Sequence, residues 1–215
     1  MSDTNNQSIP GVRYTVIAIL AVVLLILLGF MHKLSQPRIL NEHELREYGA
    51  YLLPTPRKFS DVELIDHNAQ PFTQKQLEGQ WTMIFFGFTH CPDICPTTLA
   101  AASKMYKELS DEEMADLQVL MVSLDPKRDT PEKLAQYVPY FHKDFIGVTT
   151  DQHRLLKFAT ELNVAYSKVP LGENGDYTVD HSGNIILINP YGHFHGYLRP
   201  PFEHGSMRVA WRSIR

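Results

Sequence analysis

Cysteine is scarce in this chain: two of 215 residues, Cys91 and Cys95. Two thiols are too few for the disulfide framework of a small secreted scaffold. No long basic run is present and the formal charge is -4, so the electrostatic footprint of a nucleic-acid partner is missing. Internal repeats and low-complexity tracts are absent as well. What is present is 44% hydrophobic and 20% charged, a balance that can build a core and excludes disorder by composition. The length suggests one domain with attachments.

Charge is also missing from one stretch near the N-terminus. Residues 1–13 are polar, then YTVIAILAVVLLILLGFM runs through 14–31 without a charged side chain. Eighteen residues rising 1.5 Å each cover about 27 Å, close to the hydrocarbon thickness of a bilayer. A cleaved signal peptide would carry a shorter apolar run and a small-x-small site, whereas MHKLSQPR follows here, so an uncleaved anchor is expected. Arg13 precedes the run and Lys33 and Arg38 follow it; this charge count leans weakly toward a cytoplasmic domain and does not decide orientation. The Arg-poor start does not resemble a mitochondrial transit peptide, which points to a bacterium. Beyond the anchor, Pro37, Pro54 and Pro56 among polar residues read as a tether.

From about residue 61 strand and helix patterns alternate. DVELIDHN (61–68) predicts a short strand, and WTMIFFGF (81–88) and LQVLMVSLD (117–125) predict strands buried on both faces. TTLAAASKMYKEL (97–109) has helical composition. TPEKLAQYVPYF (130–141) predicts a helix capped by Thr130 with Pro131 at its first position. FIGVTT predicts a strand, DQHRLLKFATEL (151–162) a helix, and PPFEHGSMRVAWRSI a terminal helix. YTVDHSGNIILINPYGHFHGYL (177–198) reads as a hairpin with one turn at Ser182-Gly183 and the next at Pro190-Tyr191-Gly192. The order implies one α/β domain, a parallel core with an antiparallel edge.

Both thiols lie in FFGFTHCPDICPTTL (85–99), just past a central strand, where open α/β sheets keep their sites. Pro92 and Pro96 lack N–H donors, so either Cys91 caps a first turn or the helix begins at Pro96 with Cys95 as its cap. Either arrangement sets a sulfur near a helix N-terminus, where the dipole is expected to lower its pKa. A structural pair, a redox couple and part of a metal site all remain open. The polar neighbours His90 and Asp93 speak against an inert buried pair. The three intervening residues differ from the two of thioredoxin-type centres, and a metal would need a third ligand from elsewhere. Among ten histidines, His181 stands out because it ends a strand expected near the active end of the sheet. His193 and His195 read as surface residues of an edge strand. Asp125, Lys127, Arg128 and Asp129 read as turn and cap chemistry.

FGFTHCPDICPTTL, VSLDPKRDTPE (122–132) and VDHSGNIILINPYG (179–192), in that order, resemble the SCO/SenC family of membrane-anchored, thioredoxin-fold proteins of cytochrome oxidase copper assembly. The likeness covers nearly all of residues 55–200. It implies a thioredoxin-like fold, a central mixed sheet flanked by helices after one N-terminal transmembrane helix. It also implies a copper site, Cu(I) or Cu(II), made of Cys91, Cys95 and His181, and sets the DPKRDTP loop beside it. Two soft thiolates and an imidazole suit copper. The organisation expected is a cytoplasmic tail (1–13), an anchor (14–31), a tether (32–54) and a copper-binding domain (55–215) facing the periplasm from a bacterial inner membrane. The implied function is copper delivery to the binuclear centre of cytochrome c oxidase subunit II. Other periplasmic copper chaperones or thiol reductants are further candidate partners. The alternative is a thiol-disulfide oxidoreductase using Cys91 and Cys95 as a redox-active pair on that subunit's cysteines.

Overall fold

A computed structural model describes residues 10–35, 39–172 and 175–215. The chain divides into two compact units at Ile39/Leu40. The first holds one helix, α1 (Pro10–Ser35). Within it Val12–Met31 is long and apolar enough to cross a membrane, and none of it is buried against protein. The helix is longer at both ends than the expected anchor. Residues 1–9 of the expected tail and 36–38 of the expected tether lie outside the described residues.

The second unit is folded from its start, which corrects the reading of 32–54 as a tether. Helix α2 (Glu42–Glu47) is opened by Asn41, whose side chain accepts from the backbone of His43 and Glu44 while the Glu44 carboxylate accepts from the Asn41 N–H. Strand β1 (Ala50–Arg57) follows and contains both Pro54 and Pro56. The remaining strands are β2 (Glu63–Asp66), β3 (Pro71–Thr73), β4 (Trp81–Gly87), β5 (Leu117–Ser123), β6 (Ile146–Thr149), β7 (Tyr166–Pro170), β8 (Tyr177–His181), β9 (Ile185–Ile188) and β10 (Phe194–Leu198). The helices are α3 (Ile94–Lys107), α4 (Asp111–Ala115), α5 (Pro131–Phe141), α6 (Gln152–Glu161) and α7 (His204–Ile214). Thr130 caps α5 through the Lys133 N–H, with Pro131 first in the helix, as the sequence predicts.

Eight strands form one mixed sheet in the order β1-β10-β9-β4-β5-β6-β2-β3. Its centre, β4 with β5 and β5 with β6, is parallel, while β9, β10 and β1 continue it antiparallel on one side. Every residue of β5 and β9 is buried, as in strands covered on both faces. Along β4 the side chains alternate between helical layers. Trp81 stands edge-on to Trp211 of α7, and Gly87 lies against the Cys95 sulfur of α3. From the opposite face Phe86 meets Phe158 of α6. A β-carbon on Gly87 would sit 3.1 Å from that sulfur and 2.6 Å from the Phe85 ring, so glycine at this position sets how closely α3 approaches the sheet. The architecture is the thioredoxin-like one expected.

Pairing of β8 departs from expectation. It joins β7 in a separate two-stranded sheet, with Tyr166 opposite His181 and Pro170 opposite Tyr177, and does not form a hairpin with β9. Ser182-Gly183 is therefore a passage between sheets. The turn at Pro190-Tyr191-Gly192 does join β9 to β10.

The C-terminal helix is fastened by a buried carboxylate. Glu113 accepts from Arg212 Nε at 2.6 Å and Nη2 at 3.0 Å, and from the Ser110 N–H at 2.8 Å. The Arg212 guanidinium is the main reason that its pKa falls to about 2, burial opposing it. The folded pKa lies below the unfolded value of about 4.3, so the stabilisation is present above that value and is lost as pH drops toward 2. Glu113→Gln should cost about 2 kcal/mol at pH 7. Urea denaturation should show the gap between wild type and variant closing between about pH 5 and pH 2; a gap independent of pH would refute the assignment.

Candidate metal centre

Strand β4 ends at Gly87, and the chain turns through Phe88, Thr89 and His90 into the cysteine segment. The Cys91 N–H donates to the Phe88 carbonyl at 3.2 Å. Helix α3 starts at Ile94, so it does not begin at Pro96 with Cys95 as its cap, and the alternative in which Cys91 caps the first turn is the nearer one. Asp93 occupies the cap position without a side-chain capping bond. The Cys91 sulfur does that work instead, accepting the Cys95 N–H at 3.4 Å. Pro96 is the third residue of the helix, where an N–H would have no intrahelical partner. Both cysteines are free. Cys91 is 9% exposed and Cys95 fully buried.

His181 arrives from the end of β8. Its Nδ1 lies 3.1 Å from the Ser182 carbonyl; a carbonyl only accepts, so Nδ1 carries the proton and Nε2 presents its lone pair. That Nε2 is 4.0 Å from the Cys95 sulfur, across 86 residues of sequence. The ring stands edge-on to Phe85 at 6.1 Å and Phe88 at 6.3 Å. Burial lowers the His181 pKa against the opposing pull of the Ser182 carbonyl and Asp180, so the imidazole is neutral at pH 7. Cys91 and His181 also line an open pocket of about 490 Å³ with Phe88, Pro92, Ile94 and Val179.

Burial pushes the Cys95 thiol strongly up, helped by its hydrogen bond with Cys91. The expected lowering at a helix N-terminus does not hold for Cys95, whose burial raises its pKa. Among the described residues no three of His, Cys, Asp and Glu already stand close enough together to hold a metal ion. The structure brings Cys95 to His181 and Cys91 to Cys95, and does not close the three into one shell.

Two buried aspartates of the DPKRDTP loop, read from sequence as turn chemistry, support this arrangement. Asp129 accepts from the Thr89 N–H at 3.0 Å, the Thr89 hydroxyl at 2.6 Å and the Ser123 hydroxyl at 2.6 Å, which fixes the turn leading into Cys91. Asp125 accepts from Arg128 Nε, from Lys168 Nζ at 3.2 Å and from the Tyr177 hydroxyl at 2.8 Å. These donors more than offset the burial that opposes its charge, and its pKa is lowered. Lys168 and Tyr177 carry no signal of this role in the sequence; the charged run DPKRD just after the wholly buried β5 marks only the aspartates that they meet. Lys127 is exposed. His90 Nε2 lies 3.0 Å from Lys133 Nζ at the surface beside the site.

His193 and His195 belong elsewhere. β10 is not an edge strand, since β1 covers it. His195 is half-buried and edge-on to Trp81 at 4.9 Å, at the opposite end of β4 from the cysteines.

Comparison with known proteins bears directly on this geometry. A family model described as SCO1/SenC matches residues 54–213. The chain is 41% identical over 167 residues to a Stutzerimonas stutzeri protein whose name refers to copper binding, covering 77% of this chain and 81% of that one. It is 37% identical over 212 residues to the human mitochondrial SCO1 homologue, covering 97% and 69%. It spans about half the length of several SCO2 proteins that it matches, 50% to 58%. The structure of Bradyrhizobium japonicum ScoI with copper bound aligns with a TM-score of 0.65 at 32% identity, covering 72% of this chain and 97% of that chain. With the family match extending over most of the folded unit, the chain belongs to the SCO1/SenC family.

Proposed function

We propose that the protein is a membrane-anchored copper metallochaperone that binds copper through Cys91, Cys95 and His181 and serves the binuclear copper centre of cytochrome c oxidase, with subunit II as its partner. The single observation that carries this reading is the His181 imidazole with its Nε2 4.0 Å from the buried Cys95 sulfur. Metal bonds of about 2.3 Å to sulfur and about 2.0 Å to nitrogen span that gap. The Ser182 carbonyl fixes the tautomer, as the outer partner of a metal-binding histidine does. A thiolate pair with one imidazole is a soft donor set that suits copper, and copper-bound relatives support the choice. Binding releases the thiol protons, because only thiolates ligate. Cys91, at the pocket rim, is placed to pass the ion to a partner's donors.

The same rim position favours a second reading, a thiol-disulfide oxidoreductase acting on the oxidase copper-site cysteines. Cys91 is the more accessible sulfur and Cys95 lies behind it as a resolving thiol. In either role we place the domain in the periplasm of a bacterial inner membrane, held by residues 14–31, where other copper chaperones or thiol reductants would meet it.

Three measurements test this. In anaerobic titration the reduced full-length protein in detergent should take up one copper, Cu(II) giving a thiolate-to-copper charge-transfer band; stoichiometry near zero with reduced thiols would refute copper handling. His181→Ala should impair oxidase assembly nearly as much as Cys91→Ser and leave the thiol redox potential little altered. Full oxidase activity of His181→Ala at limiting copper, with none for Cys91→Ser, would make the protein a thiol reductase. An alkaline phosphatase fused to the C-terminus should be active; an inactive phosphatase beside an active cytoplasmic reporter would reverse the orientation.

A further inference from the structure

Strands β7 and β8 stand apart from the main sheet. β7 is largely exposed, and in β8 only Val179 is buried. A two-stranded ribbon is at best marginally stable by itself, so its position depends on what it touches. Tyr177, Val179 and His181 share one face of β8, because side chains alternate along a strand. Each has a different seat on the body of the domain. Tyr177 reaches Asp125, Val179 enters the core, and His181 reaches Cys95. The base of the ribbon is tied by the Ser182 N–H to the Ala165 carbonyl at 3.0 Å. Its far half is held at Asp125.

Asp125 suits that task. It stands just past the end of β5, its side chain fully buried, and its N–H is held by the Ser123 hydroxyl at 3.0 Å. Lys168 of β7 and Tyr177 of β8 both donate to it, so one carboxylate grips both strands of the ribbon. Arg128 completes the grip: its Nε donates to Asp125, its Nη1 to the Tyr177 carbonyl at 3.1 Å, and its guanidinium covers the Tyr177 ring at 4.0 Å. A one-residue slip of β8 would turn Tyr177, Val179 and His181 away together. We propose that Asp125 is a positioning residue for the third metal donor: by holding Lys168 and Tyr177 it sets the register and seat of β8 and so keeps His181 facing Cys95. This rests on the copper reading for its functional meaning, while the positioning itself can be observed without metal.

The test uses Asp125→Asn and the milder Tyr177→Phe in the full-length protein in detergent, with copper alone as the probe. Without metal, amide hydrogen exchange across 177–181 should quicken in both variants, and the His181 ring signals should shift, while amides of β4 and β5 keep their protection. With Cu(II), affinity should fall about 10- to 100-fold in Asp125→Asn, the scale for losing an outer partner of a ligand, and the nitrogen signature in the copper resonance spectrum should weaken. Asp125→Asn combined with His181→Ala should bind no worse than His181→Ala alone, within about twofold, because the two act through one donor. Unchanged exchange in 177–181 for Tyr177→Phe and Asp125→Asn, or affinity losses that simply add in the double variant, would overturn the proposal. Should Asp125→Asn not fold, Tyr177→Phe decides by the same measurements. If wild type takes up no copper yet the ribbon loosens as stated, positioning by Asp125 stands and the metallochaperone reading falls.

Discussion

Two carboxyl groups fully withdrawn from water, Asp125 and Asp129, impose the condition that shapes the site. A buried acidic side chain without donors is strongly unfavourable, so each must be surrounded by hydrogen-bond donors. The donors come from opposite directions. Asp129 draws in Thr89, at the threshold of the cysteine segment; Asp125 draws in Lys168 and Tyr177, from the ribbon that ends in the histidine. Two aspartates of one loop thereby hold the segments that carry Cys95 and His181, which are 86 residues apart in the chain. The groups that satisfy these two carboxylates therefore lie on the segments that lead to Cys91 and to His181.

The interior of the site has a consistent chemical bias. Burial raises the Cys95 pKa and lowers that of His181, so each residue favours its uncharged form. A bare thiolate is disfavoured there, whereas a thiolate neutralised by a cation is not. The apolar edges of Phe85 and Phe88 around the imidazole sustain this bias by keeping the surroundings of low polarity.

Much of this was legible from sequence where a single local pattern governs. The apolar runs of β4 and β5, the Thr130-Pro131 start of α5 and the apolar N-terminal helix each follow from composition and spacing over a few residues. The cysteine segment follows a central strand as the sequence predicts, while its details depend on tertiary effects: a sulfur in place of a carboxylate as the helix cap, and the burial of Cys95. Strand β7, YSKVP, was missed because an exposed ribbon strand needs no apolar alternation. Without it β8 had only β9 as an apparent partner. β1 was hidden by Pro54 and Pro56, which look like breakers and are tolerated because the strand lies at the rim of the sheet. The sequence pointed to His181 as a residue; the ribbon and the aspartate that hold it became visible only in three dimensions.

Those prolines have a further consequence. In β1 they fall in the stretch between Leu52 and Arg57 where the register with β10 shifts, so the outermost strand is kinked and short of N–H groups. At the other rim, β3 has three residues and begins with Pro71. An eight-stranded sheet with open borders would be a template on which a neighbouring chain could add its own backbone. Both borders here are poor templates, and the folded domain is thereby guarded against edge-to-edge aggregation without a single residue of the site being involved.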